Sequence, residues 1–398
     1  MRVLVGWDDP IEAETIGLIL NVEETTIEIQ ADAAQFEALA TQQDWDVVLM
    51  AINFPDEETS LELFRKVQDA LPNIPIVGVW RQGQFTALAK FISNGLHSHL
   101  MRDADGDFIF LLPSMIEAAQ AAVMAQRSRM LAERLREEVD SVRRLQESVI
   151  PKDLPAPRGY EVVARYEPSQ IRIMGDNPVI MAGGDYYDVF NLGHDKMILL
   201  VGDASGHGVK ACMSIMTMHT LIRMIRDQRY PNTVEFVSEV NRRLCSSDIV
   251  QDEGGFITLL YSSLDLTNHR LTWTSAGQPM PMLQDLATNE VTILGTEEQG
   301  GLPLAIDEGW VYEEISLIIP ENTRLLIYTD GLDEAFPADG DQQHDQFGVA
   351  GIKASLKSSR ELPLEQALAK LFADSNAATR GSGRHDDTSV VLLERKRS

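Results

Sequence analysis

The chain has 398 residues, a length that predicts two or three domains, and its 44% hydrophobic and 24% charged residues exclude collagen-like, disordered and disulfide-scaffold classes. Lys and Arg total 34 against 61 Asp and Glu, a net charge of −27. Such a surface repels polyanions, so neither nucleic acid nor membrane is expected as a partner. The two cysteines, Cys212 and Cys245, match no disulfide framework or metal-ligand spacing. No apolar run approaches the roughly 18 residues of a spanning helix, and the charged, strand-like start (Arg2, Val3, Leu4, Val5) is unlike a signal peptide. A soluble cytoplasmic protein is expected.

Residues 1–122 alternate short apolar runs, at 3–5, 46–50, 74–79 and 98–101, with longer amphipathic stretches. Strands interleaved with helices predict a doubly wound α/β domain, because parallel strands need helical crossovers. In the segment 123–150, Leu131, Leu135, Val142, Leu145 and Val149 follow steps of four and three with only Glu138 out of pattern. That is a coiled-coil seam, on a helix dense in Arg and Glu that Pro151 stops. It predicts either a homodimer through residues 123–150 or packing on a flanking domain of the same chain. Residues 151–398 open with a Pro-rich connector (Pro151, Pro155, Pro157) and continue with strand-like runs at 196–201, 256–261, 270–273, 323–328 and 388–393. Two helical stretches, 210–226 and 233–244, lie between them, so a mostly antiparallel α+β domain is expected.

The chemistry lies in aspartates that recur just after an apolar strand and beside glycine: Gly184-Asp185, Gly202-Asp203-Ala204, Asp330-Gly331, and the pair Asp386-Asp387 after Arg384-His385. A carboxylate at a strand tip is held rigidly, and glycine permits a sharp turn and close approach. Each alone reads equally as a turn or helix cap. Converged, they would repel one another unless divalent cations sat between them. Oxygen-only ligands select Mg²⁺ or Mn²⁺, and two such ions suit phosphoryl hydrolysis.

Residues 145–398 resemble the metal-dependent phosphatases of the protein phosphatase 2C (PPM) superfamily, in the SpoIIE branch. The resemblance rests on Leu145-Gln146 with Pro151, Gly183-Gly184-Asp185-Tyr186-Tyr187-Asp188, and Gly202-Asp203-Ala204-Ser205-Gly206-His207-Gly208. It continues through Ser275-Ala276-Gly277, Gly301-Leu302-Pro303-Leu304, residues 328–335 around Asp330, and Asp386-Asp387-Thr388-Ser389. It implies a four-layer αββα sandwich and two Mn²⁺ or Mg²⁺ ions. Asp203 would bridge both metals with the Ala204 carbonyl on the second; Asp185 would join on the second-metal side, and Asp330 and Asp386 would hold the first. Asp387 is a weaker candidate. The implied activity is that of a protein-serine/threonine phosphatase in which a metal-bridging hydroxide attacks the phosphorus directly. The implied substrate is a small STAS-type anti-sigma-factor antagonist in a partner-switching pathway. The rival reading is a catalytically silent pseudophosphatase that binds its partner without hydrolysis; the presence of all four aspartates favours catalysis.

Three departures stand out. Residues 167–182 carry an insertion, with Asp176 inside it, that reads as a substrate flap or a bland surface loop. Gln278 follows Ala276-Gly277 where a His is common. Ser205 occupies the offset of a general-acid His, and His207 stands two residues later, as an acid or as a cap of the next helix.

Residues 1–122 resemble the flavodoxin-like response-regulator receiver domain, through strand spacing and residues 46–56. Ala51 stands at the nucleophile position, Trp7 and Asp8 at the acidic pair, Trp80 at the Ser/Thr position, and Arg102-Asp103 at the Lys-Pro position. A pseudo-receiver that takes no phosphate is implied, serving docking or dimerisation; Asp9 would replace the missing acid if the register slipped by one. Asp-rich stretches at 103–107 and 339–341 lack the twelfth-position Glu of a calcium loop and read as turns.

Overall fold

The computed structural model describes residues 1–398 except 22–24, 104, 172–178, 181, 229, 252–253, 338–344 and 398, and describes backbone only for 170–171 and 179–180. The chain divides into two compact units, Met1–Leu135 and Arg136–Ser398.

The first unit runs β1 (Arg2–Gly6), α1 (Pro10–Leu20), β2 (Thr26–Gln30), α2 (Ala33–Gln42), β3 (Val47–Ala51), α3 (Ser60–Ala70), β4 (Ile76–Arg81), α4 (Phe85–Ser93) and β5 (Ser98–Arg102). The strands pair in parallel in the order β2-β1-β3-β4-β5. This is the doubly wound flavodoxin-like order. The central strands are apolar on both faces and buried throughout, from Val3 to Val5 and from Val47 to Ala51, because helices cover both sides of a parallel sheet. Strand β2, which no apolar run announces, is an edge strand and alternates. Trp7 and Trp80 are both core aromatics; Trp7 stacks on Phe108 and Trp80 tilts against Phe85. Asp9 caps α1, accepting the N–H groups of Ile11 and Glu12, so Asp8 is the acid that faces the sheet end. Asp103 accepts from Gly106, Asp107 and Phe108, the turn expected of it. Asp339 and Asp341 lie outside the described residues.

Helix α5 (Leu112–Val149) is continuous, since only Pro113, at its first turn, interrupts the helix formers before Pro151. The division between the two units falls inside this helix, between Leu135 and Arg136. Its start buries Leu112, Ile116 and Ala119 in the α/β core. Within Asp107–Val149 one 18-residue window reaches a mean hydropathy of 1.7 and is long and apolar enough to cross a membrane by length and composition; 28% of it is buried. That corrects the expectation that no stretch approaches this length. Asp107, Pro113 and Glu117 interrupt the apolar residues, so no unbroken run is visible in the sequence. The seam also divides. Leu131, Leu135 and Leu145 are 61%, 58% and 60% exposed, whereas Val149 packs on the core of the second unit.

The second unit contains β6 (Tyr160–Glu167), the small hairpin β7 (Gln170–Ile171) and β8 (Val179–Ile180), then β9 (Asp185–Leu192), β10 (Lys196–Ala204), α6 (Val209–Ile225), α7 (Thr233–Leu244) and the short α8 (Asp248–Gln251). It continues with β11 (Ile257–Asp265), β12 (Arg270–Ala276), β13 (Met282–Asp285), β14 (Val291–Ile293), β15 (Ile315–Ile318), β16 (Thr323–Tyr328), α9 (Gly348–Ser358), α10 (Leu364–Ala378) and β17 (Thr388–Arg395). Two five-stranded antiparallel sheets result, β15-β12-β11-β10-β9 and β14-β13-β16-β17-β6. Strand alternation sorts the apolar residues into layers. Val189, Leu199, Val201 and Trp273 of one sheet meet Leu325, Ile327, Val391 and Leu393 of the other. The opposite face of the first sheet, with Ile198, Leu200 and Leu259, packs on Ile215, Met218, Val237 and Val240 of α6 and α7. The outer face of the second, with Leu326 and Leu392, packs on Ile352, Leu368 and Leu371 of α9 and α10. Those last two helices are absent from the residue-by-residue expectation, which placed only two helical stretches in this region.

Candidate metal centre

The expected aspartates gather at one end of the two packed sheets, at the ends of strands from both. Asp185 opens β9 and Asp203 lies near the end of β10, and the antiparallel register pairs them directly. Asp330 begins a 3₁₀ turn immediately after β16, and Asp386 precedes β17, the neighbour of β16. Asp185 is buried, while Asp203, Asp330 and Asp386 are partly open to solvent. Burial and mutual repulsion push the cluster up in pKa. Asp185 rises well above the carboxylate range through burial and then the charge of Asp203; Asp203 does so through burial and then Asp330 and Asp386. Asp330 is raised to about 6, again by burial first and Asp386 second, and burial raises Asp386.

Glycines make the approach possible. A Cβ on Gly184 would lie 2.6 Å from the Ala204 carbonyl oxygen and 3.0 Å from Asp203 Oδ1, and one on Gly331 would lie 1.8 Å from the Asp387 carbonyl oxygen. The Ala204 carbonyl oxygen and Asp203 Oδ1 therefore both lie against Gly184.

A frame that the motifs do not announce holds the cluster. Thr329 Oγ1 donates to Asp185 Oδ2 at 2.6 Å and accepts from Ser389 N at 2.8 Å, joining the sheets at the site. Gln146, on α5, is fully buried: its Nε2 donates to the Asp185 carbonyl at 3.0 Å and its Oε1 accepts from Gly183 N at 2.8 Å. It falls on the helix face of Val142 and Val149, four residues after one and three before the other, and that spacing is the signal from which a buried polar clamp could have been read. Asp387 is spent on structure, both oxygens accepting backbone N–H groups at 2.6 Å, from Ser169 and Gly184. Arg384, also buried, donates to Glu167, the Gly331 carbonyl and Thr388, fixing the loop before Asp386.

The departures now have locations. Gln278 is buried and donates to Thr258 Oγ1 at 2.7 Å, which donates to the Asp203 carbonyl at 3.2 Å. It steadies the strand under Asp203. Ser205 Oγ accepts from Phe256 N, tying the end of β10 to the residue before β11. His207 is exposed and does not cap α6, whose N-cap is Gly208 without a side-chain bond; its imidazole favours the ionised form of Asp386. The insertion contributes the hairpin β7–β8, and Asp176 lies outside the described residues.

The donors fit hard divalent ions. All are oxygens, and Asp185 Oδ1 is buried without a hydrogen-bond partner. No three His, Cys, Asp or Glu side chains among the described residues stand in ligating geometry about one point. The carboxylates are near enough to raise one another's pKa without chelating as they lie.

The family model for stage II sporulation protein E (SpoIIE) matches residues 193–396. The phosphoserine phosphatase RsbU of Bacillus subtilis (strain 168) is 22% identical over 349 residues, covering 85% of this chain and 93% of RsbU. The phosphoserine phosphatase RsbP of the same organism is 25% identical over 215 residues, 54% of this chain and 49% of RsbP, so the chain spans about half the length of that relative. Among solved structures, the SiaA-PP2C domain of Pseudomonas aeruginosa is 18% identical with a TM-score of 0.53, covering 66% of this chain and 98% of that domain. That likeness establishes a PP2C-like fold.

Proposed function

Since the chain belongs to the SpoIIE family of PPM-type serine phosphatases, we propose that it removes phosphate from a phosphoserine or phosphothreonine of a small regulatory protein, with two Mn²⁺ or Mg²⁺ ions. The observation that carries this reading is the convergence of Asp185, Asp203, Asp330 and Asp386 from two sheets onto one partly open site, where burial raises all four and the charges of Asp203, Asp330 and Asp386 raise their neighbours further. Asp203, the Ala204 carbonyl and Asp185 would hold one ion, and Asp203, Asp330 and Asp386 the other. Such ions supply an acidified water and charge neutralisation for phosphate oxygens. Thr329, Gln146 and Asp387 keep the carboxylates oriented, which spares reorganisation as charge develops. His207, beside Asp386 and open to solvent, is placed to give a proton to the serine alkoxide as it leaves.

The substrate is a STAS-type antagonist of an anti-sigma factor, acting in partner switching, and the site of action is the cytoplasm. Two relatives that carry the name phosphoserine phosphatase support the residue class. The N-terminal unit serves as a pseudo-receiver: Ala51 ends β3 and offers no oxygen to phosphorylate. The homodimer contact is α5, as a coiled coil through 123–150, a reading that the exposure of Leu131, Leu135 and Leu145 supports.

The test is hydrolysis of p-nitrophenyl phosphate and of a phosphorylated STAS protein with Mn²⁺, Mg²⁺ or EDTA. Turnover with either metal, lost in EDTA and lost in Asp203→Ala and Asp330→Ala chains of wild-type circular dichroism, is expected. Metal binding without turnover of either substrate would replace the phosphatase with a binding adaptor.

A further inference from the structure

The carboxyl end of the parallel sheet in the first unit holds a set of acids that the chain itself neutralises. Arg102, the last residue of β5, is 5% exposed. Its Nη1 donates to Asp8 Oδ1 at 2.7 Å, and its Nη2 lies 2.6 Å from Glu12 Oε2 and 3.7 Å from Asp9 Oδ2. The Trp7 indole covers the guanidinium, with Cζ 5.2 Å from a ring centroid, and Trp7 Nε1 donates to the same Glu12 Oε2 at 3.1 Å. The second Asp8 oxygen accepts from Asn53 Nδ2 at 2.7 Å and faces Arg81 at 3.5 Å. Asn53 Oδ1 is buried without a hydrogen-bond partner.

We infer that Arg102 is a resident cation: its guanidinium fills the position between Asp8, Asp9 and Glu12 that would otherwise demand a dissociable divalent ion. Carboxylates drawn together under partial burial need positive charge among them. A guanidinium stays charged at every accessible pH, and its fork meets two carboxylates at once. Because it is tethered, its occupancy does not vary with ion concentration. The unit is therefore fixed in one state with respect to Mg²⁺, independently of whether the second unit is a phosphatase. Asp8 fits this account: burial would raise its pKa, yet the Asn53 amide and the Arg102 guanidinium hold it below the ordinary value. Removing the guanidinium should uncover a divalent site built from Asp8, Glu12 and Asn53 Oδ1.

The experiment follows the Trp7 indole N–H resonance in the full chain, assigned with Trp7→Phe, during Mg²⁺ titration. In the wild type the resonance should not move. In Arg102→Met it should move saturably, and adding Asp8→Asn to that variant should abolish the response. A saturable shift in the wild type, or a folded Arg102→Met chain that does not respond, would overturn the inference. Should Arg102→Met leave the first unit unfolded in EDTA, millimolar Mg²⁺ is expected to restore its dispersed indole signals, while the charge-balanced Asp8→Asn/Arg102→Met chain folds without metal. Failure of that rescue would equally overturn it.

Discussion

Asp387 accepts the backbone N–H of Gly184 at 2.6 Å across 203 positions of sequence, joining the entry of β17 to the loop that delivers Asp185. Its other oxygen does the same for Ser169. A residue that looks like a spare ligand is thus a brace, and burial raises its pKa in spite of both bonds. Asp387→Ala leaves two buried N–H groups without an acceptor, at a cost of roughly 2–5 kcal/mol. Urea denaturation should show a lower midpoint with unchanged slope, and turnover should fall with it. Asp387→Asn should recover only part of the loss, because its NH₂ faces one of the same donors. A variant as stable as wild type would show that the brace is not needed.

The carboxylate cluster makes stability depend on pH. Asp330 binds its proton more tightly in the folded chain, at about 6, than at its ordinary 3.8. Without metal, its contribution to stability is therefore fully present below the ordinary value and is lost as pH rises through about 6. In EDTA at pH 7.5, Asp330→Asn should be more stable than wild type by about 1–3 kcal/mol, and the gain should vanish near pH 4. Calorimetry at the two pH values checks this, and the same variant should have no turnover. Excess Mn²⁺ should raise the wild-type melting temperature and leave the variant nearly unmoved.

Gln146 holds both the Gly183 N–H and the Asp185 carbonyl, so in the proposed metal site it would position a ligand without being one. Gln146→Ala should raise the Mn²⁺ concentration that gives half-maximal turnover about tenfold, as the loss of outer-shell partners does at metal sites. Gln146→Glu keeps an acceptor for Gly183 but places carboxylate against the Asp185 carbonyl, and should do worse than Ala. Metal titrations of activity for the three chains decide between a positioning role and a packing role, since a packing role would favour Glu over Ala.

Leu131 and Leu135 lie one helical turn apart and are mostly exposed. If they form a seam with a second chain, Leu131→Glu with Leu135→Glu should convert a dimer to a monomer in sedimentation equilibrium and leave the melting of each compact unit unchanged. A wild-type chain that is monomeric at tens of micromolar would remove the coiled-coil reading. Leu145→Glu alone should weaken the dimer less, because that end of the helix is already occupied by the second unit through Val149.

Local sequence determined the strands whose tips carry chemistry. The runs before Asp203 and Asp330 are apolar and end on the acid, a pattern fixed by short-range propensity and by the need for a turn beside glycine. That β3 ends without a nucleophilic side chain was equally plain, since Ala51 has no side-chain oxygen whatever surrounds it. What each acid does was decided elsewhere. Asp386 and Asp387 are neighbours with the same side chain. Yet Asp387 faces two inward backbone donors from residues about 200 positions away, while Asp386 faces the cluster. Asp8 and Asp9 divide likewise: Asp8 accepts the hydrogen bond from Arg102, while Asp9 caps a helix N-terminus with one oxygen and only approaches the guanidinium with the other. The roles of Gln146, Thr329 and Arg102 come from the same source. Hydrogen bonding and charge neutralisation depend on which groups the sheet register brings within 3 Å, and only the closed tertiary structure sets that register.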